Sequence, residues 1–138
     1  MEPIYTAIAH ASGGGRDGHV RSEDDRLDLD TRPPKEMGGS GDGTNPEQLF
    51  AAGYSACFLG AVHAVGRNLK VDTSDASVSA SVSIGKVGEG MGLGAELDVY
   101  LPNVEASRRQ EVADGAHRMC PYSNATRGNI DVVVTVVD

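Results

Sequence analysis

The stretch from Pro46 to about Gly66, PEQLFAAGYSACFLGAVHAVG, is apolar nearly all the way round, so any fold of this chain has to find cover for it. Its start reads as a helix N-terminus. Asn45 suits the cap, Pro46 the first helical position, and Glu47 the positive first turn, while Gln48 completes an N-x-x-Q capping box. At about 1.5 Å per residue the helix is ~30 Å long, the diameter of a small domain. A helix without a polar face is buried on all sides. The chain has 138 residues, the length of one domain, expected here over 1–138, and such a domain buries roughly two thirds of its unfolded surface. That is little material to wrap a central rod, so a homodimer is expected, with the partner supplying part of the wrapping.

The remainder reads as strands and one more helix. Residues 76–84 (ASVSASVSI) alternate apolar residues with Ser, and 95–101 (AELDVYL) alternate likewise, the pattern of a sheet with one wet face. Between them GKVGEGMGLG is expected to form a long hairpin loop. Residues 104–119 predict a second helix with Val112, Ala116 and Met119 on one face, and Asn129–Val137 a Val-rich closing strand. Upstream, Ile4–His10 is β-favouring, GGGRDG at 13–18 is a turn, Arg26–Asp30 alternates with Leu27 and Leu29 on one face, and 31–45 is a Pro- and Gly-rich loop. The expected class is α+β, with antiparallel sheets packed on a long buried central helix.

Composition narrows the function. Twelve Lys and Arg against 20 Asp and Glu give a net charge of −8, which argues against a nucleic-acid partner. The longest apolar stretch, Leu49–Val65, is interrupted by Gly53, Tyr54, Ser55, Gly60 and His63 and reads as too short to span a membrane. The start, MEPIYTAIAH, lacks a signal-peptide apolar run, and a cytoplasmic location is expected. Two cysteines, Cys57 and Cys120, are too few for a secreted disulfide scaffold.

Several motifs read as ordinary structure. Residues 13–18 match G-x-G-x-x-G literally, but the charged HVRSEDD that follows opens no amphipathic helix, so a turn presenting Arg16 is the better reading. No cofactor is implied. The cysteines and histidines lack zinc-site spacing except for His117, three residues before Cys120, and His117 reads as an exposed helix residue rather than a ligand. His63 follows Cys57 by six residues, about 240° around the helix, so it cannot serve as its base there. Taken alone, each cysteine reads as a small buried hydrophobe. Cys57 lies mid-helix, where the helix dipole cannot ionise it and a thiolate would need a side-chain cation. Pro121 disfavours helical geometry at Cys120 and puts that residue at a helix break.

The segments TNPEQLFAAGYSACF (44–58) and CPYSNATRGNI (120–130), with GGRDG upstream, resemble the organic hydroperoxide resistance proteins, the Ohr branch of the OsmC/Ohr family. The likeness runs through essentially the whole chain, departing at the extra-Gly lead-in of GGGRDG and at Ser22–Asp25, where a D-G turn would be usual. It implies a thiol-dependent peroxidase that reduces alkyl and fatty-acid hydroperoxides to alcohols. It also implies an intertwined homodimer with two active sites at the subunit interface and a dithiol reductant such as a dihydrolipoyl protein. Carried over residue by residue, Cys57 matches the peroxidatic cysteine, Cys120 the resolving one, Arg16 the arginine beside the thiolate, and Glu47 the glutamate that orients it. Leu49, Phe50, Phe58 and Leu59 are candidates for an apolar substrate wall. Glu47 and Cys57 are ten residues apart on one helix, ~15 Å along its axis, so the Arg16–Glu47 pair and the cysteine pair are expected to combine across the dimer interface. Two other readings stay open: an OsmC-type peroxidase preferring hydrogen peroxide, and a non-catalytic dimer that binds a small apolar ligand.

Overall fold

A computed structural model describes residues 1–138. The chain falls into two compact units, Met1–Leu49 and Phe50–Asp138. The first contains a three-stranded antiparallel sheet of β1 (Ala9–Gly13), β2 (Gly18–Ser22) and β3 (Asp28–Thr31), in that order, followed by a single 3₁₀ turn at Lys35–Met37. Of the β-favouring stretch Ile4–His10, only the last two residues join the ladder, which starts at Ala9, and Ile4 and Tyr5 are exposed. Strand β2 carries no strand pattern of its own, because HVRS offers one apolar residue. It forms by pairing on both sides, with Val20 between Ala11 and Leu29. The Ser22–Asp25 turn closes with Asp25 in the left-handed region at φ 61°. No apolar side chain in this unit is buried; Thr31 and Asn45 are, while Leu27 and Leu29 stay exposed.

Helix α1 runs Pro46–Leu69, three residues beyond the expected end. Asn45 caps it, its Oδ1 accepting the Gln48 N–H at 2.9 Å. The reciprocal half of the capping box is not made, since the Gln48 side chain instead accepts from the Thr44 hydroxyl at 3.0 Å. Gly66 is no terminator. A Cβ there would sit 2.6 Å from the Thr73 methyl, so the glycine permits close approach of the returning chain, and the left-handed Lys70 ends the helix. By length and a mean hydropathy of 1.5, α1 reaches what a membrane span requires, contrary to the expectation from its interrupting residues. A core helix meets the same criterion, and Tyr54, Phe58, Val62 and Val65 do enter the core. The opposite face, Ala52, Ala56 and Gly60, is exposed in the single chain, so burial on all sides is not reached by one copy.

In the second unit β4 (Ser77–Val87) and β5 (Gly90–Tyr100) form an antiparallel hairpin in register from Ser77↔Tyr100 to Val87↔Gly90. The expected long loop is thus a two-residue turn, Gly88-Glu89, with Gly88 at φ 58° supplying the positive torsion such a turn needs. Strand β6 (Val132–Val137) pairs parallel with β5, so this sheet is mixed rather than wholly antiparallel. Leu97 and Val99 on β5, with Leu101 just beyond it, pack with the α1 residues and with Val112 and Ala116 of α2 (Ala106–Met119). Met119, the last residue of α2, is exposed although its spacing puts it on the same face. A short helix, α3 (Pro121–Thr126), follows at once; six residues carry too little periodicity to be read from sequence.

Candidate active site

Arg16 stands in the four-residue loop between β1 and β2. Gly13 at the end of β1 and Gly15 in the loop take positive φ of 67° and 71°, and a Cβ at Gly18 would clash with the Ser12 carbonyl. Buried Thr31 ties this loop down from both directions, its hydroxyl donating to the Gly15 carbonyl at 2.6 Å and accepting the Gly18 N–H at 3.0 Å. Arg32 adds a bond to the Gly18 carbonyl at 3.0 Å. A hairpin, not a strand-to-helix turn, therefore holds the G-x-G-x-x-G match. From this loop the Arg16 guanidinium grips Glu47 in a two-point pair, Nη1 to Oε2 at 3.0 Å and Nη2 to Oε1 at 2.7 Å. Such forked, charge-assisted bonds fix orientation as well as charge. The Arg16 bond holds the Glu47 carboxyl below its usual range against the opposing effect of burial. The pair's stabilisation is therefore complete above the ordinary carboxylate pKa and is lost only as pH falls through the depressed one.

The two cysteines, 63 residues apart in sequence, meet in the second unit with Sγ atoms 3.6 Å apart and both thiols free. Cys57 is half-buried on α1 and Cys120 fully buried. Cys120 has extended backbone (φ −62°, ψ 123°) between α2 and α3, the break that Pro121 imposes. A disulfide needs about 2.05 Å between sulfurs, so bonding takes a small approach, not a refolding. Burial pushes the Cys57 thiol above its ordinary range, the Tyr122 backbone N–H pulls it back, and the hydrogen bond and charge of Cys120 push it up again. None of these influences is the cation that a stable thiolate calls for.

Around the sulfurs lies a polar network that sequence reasoning missed. The Tyr54 hydroxyl lies 2.9 Å from Ser123 Oγ and 3.2 Å from Thr126 Oγ1, and His117 Nδ1 lies 2.9 Å from Ser123 Oγ. His117 is thus half-buried and bonded, not an exposed helix residue; burial and the charge of Arg127 push its pKa down. His63 is satisfied by Thr73 at 3.0 Å. One signal was available, because aromatics are only 4% of the chain and four of the six, Phe50, Tyr54, Phe58 and Tyr122, fall in the two cysteine segments. Three of these rings pack together, Phe50, Tyr54 and Tyr122, with centroids 5.6–6.0 Å apart. Phe50 and Tyr122 line a cavity of about 920 Å³ with Met91, Leu93 and Ile130. Of the four expected wall residues only Phe50 lines it; Phe58 points into the core, fully buried.

Comparison with known proteins places this geometry. The OsmC-like protein family model matches residues 39–135. An uncharacterised protein of Acinetobacter baylyi is 52% identical over 135 residues, 97% of this chain and 94% of that protein. The organic hydroperoxide resistance protein of Xanthomonas axonopodis pv. citri is 50% identical over 135 residues, 96% of this chain and 94% of that protein. Among solved structures, an organic hydroperoxide resistance protein OsmC from Legionella pneumophila superposes with a TM-score of 0.94 at 43% identity, covering 99% of this chain and 100% of that one. With half its residues shared over nearly its full length and the same fold throughout, the chain belongs to the OsmC/Ohr family, among the organic hydroperoxide resistance proteins.

Proposed function

We propose that this chain serves in organic hydroperoxide resistance as a thiol-dependent peroxidase, reducing alkyl and fatty-acid hydroperoxides to alcohols. The observation that carries the reading is the pair of free thiols, 3.6 Å apart at a Pro-marked helix break, in a relative of proteins named for such resistance. The Cys57 thiolate attacks the distal peroxide oxygen. The O–O bond breaks, the alkoxide takes up a proton and leaves as ROH, and Cys57 becomes a sulfenic acid. The Cys120 sulfur then displaces that hydroxyl as water and forms the Cys57–Cys120 disulfide. A dithiol, such as a dihydrolipoyl group on a partner protein, restores both thiols by exchange and is itself oxidised. The acidic chain needs no charge match with substrates that are neutral at the reacting end, and the Phe50- and Tyr122-lined cavity offers their alkyl part an apolar wall. The setting proposed is cytoplasmic, without nucleic-acid or membrane partners.

The working unit in this reading is a homodimer. Two observations support it: the exposed Ala52–Ala56–Gly60 face of an otherwise apolar helix, and an N-terminal unit that buries no apolar side chain. Glu47 already binds Arg16, and ten residues of helix separate it from Cys57. The cation that the Cys57 thiolate needs is then the Arg16 guanidinium of the other protomer.

Titrating thiols before and after one equivalent of tert-butyl hydroperoxide tests the reaction. Two thiols lost per chain, returned by dihydrolipoamide, is the expected outcome; unchanged thiols would instead support a dimer that binds a small apolar ligand. Faster loss with hydrogen peroxide than with the alkyl peroxide would move the substrate class to that oxidant.

A further inference from the structure

The contact between the sulfurs is one of two matched rungs. On α1, Tyr54 precedes Cys57 by three residues, and on the opposing segment Ser123 follows Cys120 by three. Cys57 meets Cys120 at 3.6 Å and Tyr54 meets Ser123 at 2.9 Å, so the two segments pass each other in register. The second rung is buried and many-handed. Tyr54, Ser123 and Thr126 are all buried, and the Tyr54 hydroxyl also reaches Thr126. Ser123 is shared with His117 at the end of α2, and Thr126 donates back to the Tyr122 carbonyl at 2.9 Å. Every buried polar side-chain atom here has its partner. Buried polar networks of this kind specify one arrangement, because any displacement strands a group without water to replace its bond. Gly53 belongs to the same device: a Cβ there would fall 2.7 Å from the Tyr122 hydroxyl, so the glycine lets α3 lie close against α1.

We propose that Tyr54, with Ser123, Thr126 and His117, is a latch that holds α3 in the register presenting Cys120 to Cys57, which makes Tyr54 a positioning residue for disulfide formation. The proposal rests on the peroxidase reading for its biological context, but the sulfur pairing itself does not require that reading. The step it governs is balanced: Cys57–SOH and Cys120–SH give the disulfide and water, with the S–O and S–H bonds broken and the S–S bond formed. Thr126 also lines the cavity proposed for the alkyl chain, but Tyr54, Ser123 and His117 do not, so loss of the Tyr54 hydroxyl should slow the pairing of the sulfurs while sparing peroxide attack and alcohol release.

Rapid-mixing measurements on the full-length protein, with the Cys57 sulfenic acid trapped by dimedone, provide the test. In Tyr54→Phe the rate of the first oxidation is expected to change by less than about twofold, while the sulfenic acid lives about tenfold longer. Ser123→Ala should behave alike. Ser123→Ala carries the test if Tyr54→Phe fails to fold; Thr126→Val should lengthen the lifetime and Thr126→Ser, which keeps the hydroxyl, should restore it, and because Thr126 also lines the cavity this pair is read on the sulfenic-acid lifetime alone. A purely structural role would lower Tm while leaving the ratio of the two rates as in the unaltered protein, and that result overturns the latch. If the unaltered protein does not react with hydroperoxide, the peroxidase reading fails. The latch is then read with diamide, which removes two electrons directly from a dithiol. Slower pairing in Tyr54→Phe supports it, and equal or faster pairing overturns it.

Discussion

Arg16 and Glu47 belong to a unit that buries no apolar side chain, whereas Cys57 and Cys120 belong to one built around Tyr54, Phe58, Leu97, Val99 and Val112. The ion pair is held by directed bonds: a two-point fork, and Thr31 beneath the loop that presents it. The thiols are held by packing, and packing works against them chemically, since burial raises the Cys57 pKa. A charged group is easily kept at a half-exposed turn, and a peroxide-reactive sulfur is easily kept dry in a core. Neither place supplies what the other has. A reactive site needs both, and the proposed dimer is the arrangement that brings them together.

The sharpest way to break that comparison is to divide it between chains. Cys57→Ser should abolish hydroperoxide consumption, and Arg16→Ala should slow it by about 10- to 100-fold, the worth of a lost charge-assisted bond. Mixed dimers of the two variants should recover activity in sites that pair an intact Cys57 with the arginine of the other chain. Mixtures no better than the separate variants would put Arg16 and Cys57 to work within one chain. Next in size, Cys120→Ser should still permit one oxidation of Cys57 but lower dithiol-driven turnover about tenfold or more. Normal turnover would remove Cys120 from the resolving role. The smallest effect concerns the polar unit alone. Thr31→Val removes the bonds to the Gly15 carbonyl and the Gly18 N–H and should cost about 1–3 kcal/mol in urea unfolding, the net worth of two hydrogen bonds. An unchanged unfolding midpoint would mean that the Arg16 loop does not depend on Thr31.

Much of the candidate site was legible because its residues carry strong local signals. Asn45 and Pro46 announce α1, Pro121 announces the break at Cys120, and the segments around both cysteines identify the family. Glu47 and Arg16 followed from the same resemblance, and the structure joins them through both carboxylate oxygens. What stayed hidden is instructive. Strand β2 has almost no apolar pattern and exists only through its two neighbours. Helix α3 is too short to show a period, and β6 gives no sign in its Val-rich run that it pairs parallel to β5. The Tyr54–Ser123–Thr126–His117 network joins residues up to 72 positions apart, each of them unremarkable alone.

Elements with a local cause can be read directly from the residues: an apolar helix with its cap, alternating strands, and a proline-broken helix end, along with the thiols and charges the chain has to offer. Which of these meet depends on how the chain folds back on itself. Contacts across 63 residues at the sulfurs and 31 at the ion pair depend on how sheets and helices close around a core. No periodicity records that closure, because it is fixed by the sum of many packing contacts and not by any one segment.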